Sequence, residues 1–341
     1  MTRLLQPDRL ARVLSQATGD DEWRSFSAEL IAGGKSNLTF ALASNAGHLV
    51  LRRPPEGDLL PSAHDMEREV RVQRALVGTK VPVARILFAD LGGETLGVPF
   101  YVMERVDGHV IRDSVPAGYA DGADDRHKMA DALVDVLAEL HTIEPSRVGL
   151  EKFGRADRFL ARQVRRWTAQ SEKTRRIDQP ELDALAAALA AGLPESSTAA
   201  IVHGDYRLDN CLMHPHDPGR VAAVLDWELS TLGDPLADLG LLLFYWPHRG
   251  EAQIPLVPTV SSQNGFPPRS YLLDRYAAAT GADVSAVPFY EAFARFKFAV
   301  IIQGVTARSE AGTMGGQHFG NFDADVVRLA KEGLTKLEEL R

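Results

Sequence analysis

The sequence predicts an α+β fold in two lobes, and three observations predict it. The first hundred residues carry short alternating strand patterns around one helical segment. Beyond Val106 the chain is dominated by apolar residues at helical spacing. Between the two lies "MERVDG", residues 103–108, where the character changes. The expected units are residues 1–106 and 107–341, in keeping with a 341-residue chain at roughly 150 residues per domain.

In chain order, "FSAELIAGG", "SNLTFALAS" and "HLVLRR" read as strands, with Asn45-Ala46-Gly47 as a hairpin turn between the last two. Phe40 and Leu42 alternate with smaller residues, as on a half-buried strand. "RRPPEGDLLPS" breaks structure with Pro54, Pro55, Gly57 and Pro61. "HDMEREVRVQRALVG" is a helix stopped at Gly78, and "ARILFAD" and "VPFYVMERV" are two further strands. Three strands, a helix and two strands make a small antiparallel sheet with one helix against it. In the second unit Met129, Leu133, Val136, Leu137 and Leu140 mark one helix. Pro180 and Gly192 bracket another. Phe289, Phe293, Phe296 and Val300 line a third, and short strands interrupt around residues 201–226.

Composition excludes several function classes. A net charge of −8 makes a nucleic-acid partner a poor expectation. The single cysteine, Cys211, rules out an internal disulfide and cysteine-rich zinc sites, and fits a reducing cytoplasm. The opening "MTRLLQPDRLARVLSQ" does not read as a signal peptide. The most apolar runs are too short for a bilayer, which needs about 20 residues, so no membrane role is expected.

The chemistry concentrates in "HGDYRLDN", residues 203–210, and in "VLDWE" after it. Asp226 follows Asn210 by 16 positions (226 − 210) at the exit of an apolar strand. Mg²⁺ takes oxygen ligands, commonly one or two carboxylates completed by substrate phosphates, and Asn210 and Asp226 offer such oxygens. Asp205 is then free to face a substrate hydroxyl. An aspartate, with an ordinary pKa of about 3.9, is too weak a base to deprotonate an alcohol outright. It can orient the hydroxyl and take its proton late, as a loose phosphoryl-transfer transition state allows. The spacing D-x-x-x-x-N is that of the protein-kinase catalytic loop.

Taken together, "HGDYRLDN", "LDWE" and "LGDPLADLG" resemble the aminoglycoside phosphotransferase family and the related choline kinases over essentially the whole chain. That resemblance implies a protein-kinase-like fold, with a nucleotide-binding first lobe, and ATP and Mg²⁺ as cofactors, GTP not being distinguished. It implies Asp205 as the catalytic aspartate, Asn210 and Asp226 as metal ligands, and Asp238 as a brace beneath the catalytic loop. "GGKSN" resembles the family's phosphate-covering loop, which implies Gly33, Gly34, Ser36 and Asn37 near the nucleotide. Arg52 stands where protein kinases carry lysine. Arginine keeps the charge and forks to phosphate oxygens with a different reach. Its helix partner would be Glu69, with Glu67 the alternative, and backbone groups of Glu104 and Val106 would meet the adenine edge.

The other polar residues of the loop read more plainly. His203 is expected to support the loop by packing and hydrogen bonding. His214 and His216 flank Pro215 in a surface turn, and Cys211 is a small buried residue. Arg207 either meets the γ-phosphate or pairs with a loop carboxylate. For the acceptor, "DGADD" at 121–125 reads as a solvated loop, and the proline-rich segment 247–268 as a substrate-specific insertion with an apolar contribution. "LVLRRPPEG", "REVRVQRAL", "PFYVMERVDGHV" and "LDWELSTLGDPLADL" resemble the kinase-like domain fused to some acyl-CoA dehydrogenases. This implies a hydroxyl on an acyl metabolite such as a hydroxyacyl-CoA. The competing readings are an aminoglycoside-type antibiotic kinase, a catalytically silent nucleotide-binding protein on the same fold, and a metal hydrolase using His203, Asp205, His214 and His216. Oligomeric state is not legible.

Overall fold

The computed structural model describes residues 2–31, 37–55, 65–195, 199–312 and 320–340. The chain opens with helices α1 (Thr2–Leu5) and α2 (Pro7–Thr18), followed by strands β1 (Ser27–Leu30), β2 (Leu38–Ser44) and β3 (Gly47–Arg53). Helix α3 (Met66–Leu76) and strands β4 (Ile86–Asp90) and β5 (Phe100–Glu104) complete one antiparallel sheet of order β1-β2-β3-β5-β4. The two opening helices correct a reading of this region as strands around a single helix. α2 has the period the strands lack: Leu10 and Leu14 lie four apart on one face and are wholly buried.

The sheet is covered on both faces. Leu5, Leu10, Leu14 and Trp23 pack with Phe40, Leu42, Leu49, Leu51, Phe100 and Val102 on one side. Met66 and Val70 of α3 pack with Tyr101 on the other. Strand alternation explains the split. Leu49 and Leu51 point toward α2, so Val50 and Arg52 point toward α3. The hairpin forms as its turn residues predict, with Ser44 opposite Gly47 and Asn45-Ala46 between them. α3 starts at Asp65, whose side chain accepts the Arg68 amide at 2.9 Å. Its Val72 and Leu76 face the second, larger core, so one helix touches both.

After β6 (His109–Val110) the chain is mainly helical: α4 (Ala123–Thr142), α5 (Phe159–Thr174) and α6 (Pro180–Ala191), then α7 (Pro235–Phe244), α8 (Arg269–Thr280), α9 (Val287–Glu310) and α10 (Asp323–Glu338). Between α6 and α7 lie β7 (Ala200–Val202), β8 (Cys211–Met213), β9 (Val221–Val224) and β10 (Thr231–Gly233). β6, β8 and β9 form one small sheet, and β7 pairs with β10 in another. Met129, Leu133, Leu137 and Leu140 of α4 are fully buried, as are Phe289, Phe296 and Val300 of α9 to within 1%. Among the described residues no helix is long and apolar enough to cross a membrane.

Candidate active site

Two strand pairings bring the polar residues of 203–226 together. β7 delivers His203 to the start of a loop, and β8 takes the chain away after Asn210. β8 runs antiparallel to β9 with Cys211 opposite Val224, so Asn210 and Asp226 lie at neighbouring strand ends. The Leu225 amide donates to the Asn210 carbonyl at 2.8 Å and ties the two ends together.

Within the loop the roles separate. Asn210 Nδ2 donates to the Asp205 carbonyl at 2.8 Å and to its carboxylate at 3.1 Å. Both partners are acceptors, which fixes the amide orientation. Asn210 Oδ1 is therefore the atom left for another ligand. His203 is fully buried. Its Nε2 lies 2.8 Å from the Leu225 carbonyl and so carries the hydrogen, while Nδ1 accepts the Asp205 amide at 3.2 Å. Both ring nitrogens are committed inside the loop, which leaves neither for a metal. His214 accepts the His216 amide in a half-exposed turn. No three His, Cys, Asp or Glu among the described residues gather around a metal position. The hydrolase constellation is therefore not assembled.

Asp238 lies beneath the loop, fully buried on α7. One carboxylate oxygen accepts the His203 amide at 2.6 Å and the other the Gly204 amide at 2.8 Å, with His141 Nε2 at 3.4 Å. Burial pushes this carboxyl up, but the hydrogen bond and charge of His141, with the ring and amide of His203, outweigh it and hold it below its ordinary value. Gly204 sits at φ 84°, and a Cβ there would come within 2.7 Å of the Leu229 carbonyl, so the loop's entry needs glycine. Asp234, its neighbour in the same motif, caps α7 through the Leu236 amide and accepts the Tyr290 hydroxyl at 2.7 Å.

The first lobe contributes a charge cluster. Arg52 Nε lies 3.0 Å from Glu69 Oε2, a charge contact rather than an aligned hydrogen bond, and its Nη2 donates to Asp226 Oδ1 at 2.6 Å. Glu69, not Glu67, is the helix partner. It also accepts Tyr101 Oη at 2.7 Å and Asn37 Nδ2 at 3.0 Å. Burial works against the Arg52 charge, and Glu69, Tyr101 and Asp226 outweigh it, so the guanidinium stays ionised. Burial lifts the Glu69 carboxyl above its ordinary value, and Arg52 and Tyr101 offset this only in part. Asp226 stands at φ 64°, a backbone strain that recurs at functional sites. Among the described residues no donor meets its Oδ2.

Other expected positions fall as follows. Asn37 is 2% exposed and holds Glu69 and Glu228 together, the second at 3.4 Å. Gly33, Gly34 and Ser36 lie outside the described residues. The Glu104 amide donates to the Arg85 carbonyl at 3.0 Å and its side chain receives the Arg85 amide, so neither is left for an adenine edge. The Val106 amide has no hydrogen-bond partner among the described residues. Arg207 pairs with the loop carboxylates, Asp205 at 3.3 Å and Asp209 at 3.1 Å, and lies over the Tyr245 ring.

Several residues escaped the sequence reading. Glu228 approaches Arg52 at 3.7 Å, and its one signal was a second carboxylate two places after Asp226. Asp209 had the nearby Arg207 as its signal, while Tyr101, Arg112 and Lys297 left none, since their partners are far away in sequence. Lys297 Nζ on α9 donates to the Gly204 carbonyl at 2.8 Å. Burial lowers its ammonium from the ordinary value, against the pull of Asp205 and Asp238.

Comparison with known proteins identifies the family of the chain. The family model described as "Phosphotransferase enzyme family" matches residues 27–270. Human acyl-CoA dehydrogenase family member 11 is 36% identical over 309 residues, covering 88% of this chain and 39% of that protein. Mouse acyl-CoA dehydrogenase family member 10 is 33% identical over 98% of this chain and 32% of its own length. The chain thus spans two-fifths or less of these two curated relatives. A Ralstonia eutropha protein assigned as an aminoglycoside phosphotransferase superposes with TM-score 0.81 at 32% identity, over 97% of each chain. A choline kinase from Cryptosporidium parvum shares the fold at TM-score 0.63 and 12% identity, over 96% of this chain and 94% of that one. With a kinase-like sheet lobe, a helical lobe and this loop between them, the chain belongs to the phosphotransferase enzyme family.

Proposed function

We propose that the protein is an ATP- and Mg²⁺-dependent phosphotransferase that moves a γ-phosphoryl group to the hydroxyl of a small metabolite, a hydroxyacyl-CoA. One observation carries the first part. The hydrogen bonds of the loop commit Asn210 Nδ2 to Asp205, leaving Asn210 Oδ1 and Asp226 Oδ2 as open oxygens at adjoining strand ends. An all-oxygen pair suits a hard divalent cation completed by phosphates. Bound Mg²⁺ supplies neutralisation of phosphate charge. Arg52, held by Glu69, adds a cation beside Asp226. The Glu104 carbonyl and Val106 amide would take the adenine edge, and GTP is not distinguished from ATP. Asp205, oriented by Asn210 and Arg207, would hold the acceptor hydroxyl and accept its proton, so that the protein's share is positioning and charge stabilisation. His203 and Asp238 would hold the loop from beneath.

Arg207 lies 3.3 Å from Asp205, Arg112 pairs with Asp209 and Lys297 donates to the Gly204 carbonyl, so the cations near Asp205 are matched by carboxylates of the same loop. The named relatives carry acyl-CoA dehydrogenase in their names, which supports an acyl-CoA acceptor. The single cysteine is compatible with the cytoplasm proposed for the protein.

Phosphate transfer from ATP, measured side by side with hydroxyacyl-CoAs, aminoglycosides and choline-like amines, is expected to label a hydroxyacyl-CoA alone. Transfer to an aminoglycoside instead would replace the acceptor assignment. No transfer, with a thermal shift on adding Mg·ATP retained, would favour a catalytically silent nucleotide-binding protein. Asp226→Ala is expected to weaken nucleotide binding in Mg²⁺ by at least roughly tenfold, about 1.4 kcal/mol. Titration calorimetry with and without the metal reads this directly, and an unchanged Mg²⁺ dependence would remove Asp226 from the metal site.

A further inference from the structure

The segment 247–268 is fastened to the catalytic loop through one side chain. Arg112 Nη2 donates to the Leu256 carbonyl at 3.1 Å, and Nη1 donates to Asp209 Oδ2 at 2.7 Å. The Arg112 carbonyl accepts the Val260 amide at 3.2 Å. The next residue, Asp113, accepts the Thr259 amide at 3.2 Å and its hydroxyl at 3.3 Å, and the Asp113 carbonyl accepts Gln263 Nε2 at 3.1 Å. The segment is thus docked on residues 112–113 by both backbone and side chain.

The other end of Arg112 leads to the chemistry. Arg207 Nη1 lies 3.1 Å from Asp209 Oδ2 and Arg207 Nε 3.3 Å from Asp205 Oδ2, both charge contacts rather than aligned hydrogen bonds. The Asp209 side chain is 5% exposed and that of Arg112 44%, so the carboxylate end of the pair is buried while the guanidinium reaches it from the solvent side. Arg207 is further pinned over the Tyr245 ring at 4.9 Å. A planar guanidinium can hold a carbonyl with one nitrogen and a carboxylate with another, which an ammonium cannot do at the same two points.

The segment's own backbone is strained where Arg112 grips it. Ile254 to Val257 form a turn closed by the Val257 amide on the Ile254 carbonyl at 3.2 Å. Pro255 takes the second position and Leu256 the third, where φ is 67° and glycine is favoured. A leucine held there points its carbonyl at Arg112 and depends on its surroundings to stay.

We propose that Arg112 is a positioning residue that couples the conformation of segment 247–268 to the alignment of Asp205, through Asp209 and Arg207. The proposal rests on Asp205 being the catalytic aspartate. A segment shifted by an acceptor would move the Leu256 carbonyl, release or tighten Arg112, and so set the angle at which Arg207 holds the Asp205 carboxylate.

The test uses the full chain with Mg·ATP and water as the acceptor, read beside amide hydrogen exchange. Arg112→Gln is expected to raise exchange in both 254–263 and 203–210. It should lower kcat for ATP hydrolysis about tenfold, leaving KM for ATP within about twofold. Arg112→Lys should fall between, since one ammonium reaches one anchor. Arg112→Gln with Asp209→Asn should be no slower than the slower single variant, because both cut the same chain of contacts. Exchange rising in 254–263 alone with kcat unchanged, or losses that multiply in the double variant, would overturn the coupling. An Asp205→Asn variant with wild-type hydrolysis would sink the catalytic assignment instead. The exchange of 203–210 decides the coupling without reference to turnover.

Discussion

Asp205→Asn is expected to lower phosphoryl transfer by about 10²–10⁴-fold, the usual range for a positioned proton acceptor. At the middle of that range the loss is about 4 kcal/mol of transition-state stabilisation. The substitution keeps the shape of the side chain and one of its oxygens. What it removes is the negative charge that Arg207 approaches at 3.3 Å and the second oxygen that would receive the acceptor's proton. Nucleotide affinity should stay within about twofold, because the proposed phosphate contacts come from Arg52, Asn210 and Asp226 rather than from Asp205. Stability should change little, since the Asp205 side chain is partly open and its amide remains on His203. Single-turnover kinetics with calorimetric Mg·ATP binding separates the two effects. Full turnover in the variant would take Asp205 out of the mechanism.

Asp238→Asn should do the reverse and strike folding first. It is expected to cost about 3–5 kcal/mol, the range for removing one partner of a buried charged group. In a chain of this size the melting temperature should fall by roughly 5–15 °C. The reason lies in the donor count. The Asp238 carboxylate accepts two backbone amides, of His203 and Gly204, and faces His141, all away from water. An asparagine amide must turn an NH₂ toward one of those donors, which leaves a buried clash of donors. The acid behaviour gives an independent sign. The folded Asp238 carboxyl is held below its ordinary value, so its stabilisation is complete above about pH 3.9 and is lost as pH drops through the lower folded value. The variant should therefore lose less stability than the parent between pH 5 and 3. Urea titrations across that range check both the size and the slope, and a parent-like slope in Asp238→Asn would assign the acid sensitivity elsewhere.

Local pattern carried much of this fold. Strand alternation around Phe40 and Leu42, the Asn45-Ala46 turn and the spacing from Met129 to Leu140 depend on neighbours within a few residues. The same holds for Asp205 with Asn210, joined by a hydrogen bond across five positions. α2 was missed although its period is local, because a Pro and charged residues masked a stripe of only two fully buried leucines and their small neighbours.

The two-lobed α+β plan, the kinase-like loop and the order of its aspartates are legible along the chain, since periodicity and short spacings are properties of adjacent residues. Which charges meet is set by the three-dimensional packing. Arg52 and Arg53 are adjacent and chemically identical, yet the pleat sends Arg52 to Glu69 and Asp226 and buries Arg53 on the opposite face against the carbonyls of Leu4 and Pro54. Glu69 rather than Glu67 faces the sheet because of the rotation of α3 against Tyr101. Arg112 reaches Asp209 across 97 positions, and Lys297 reaches Gly204 across 93. No local rule relates residues so far apart. Their pairing follows from β-sheet register and helix packing, which bury the charges together and so make each partner necessary to the other.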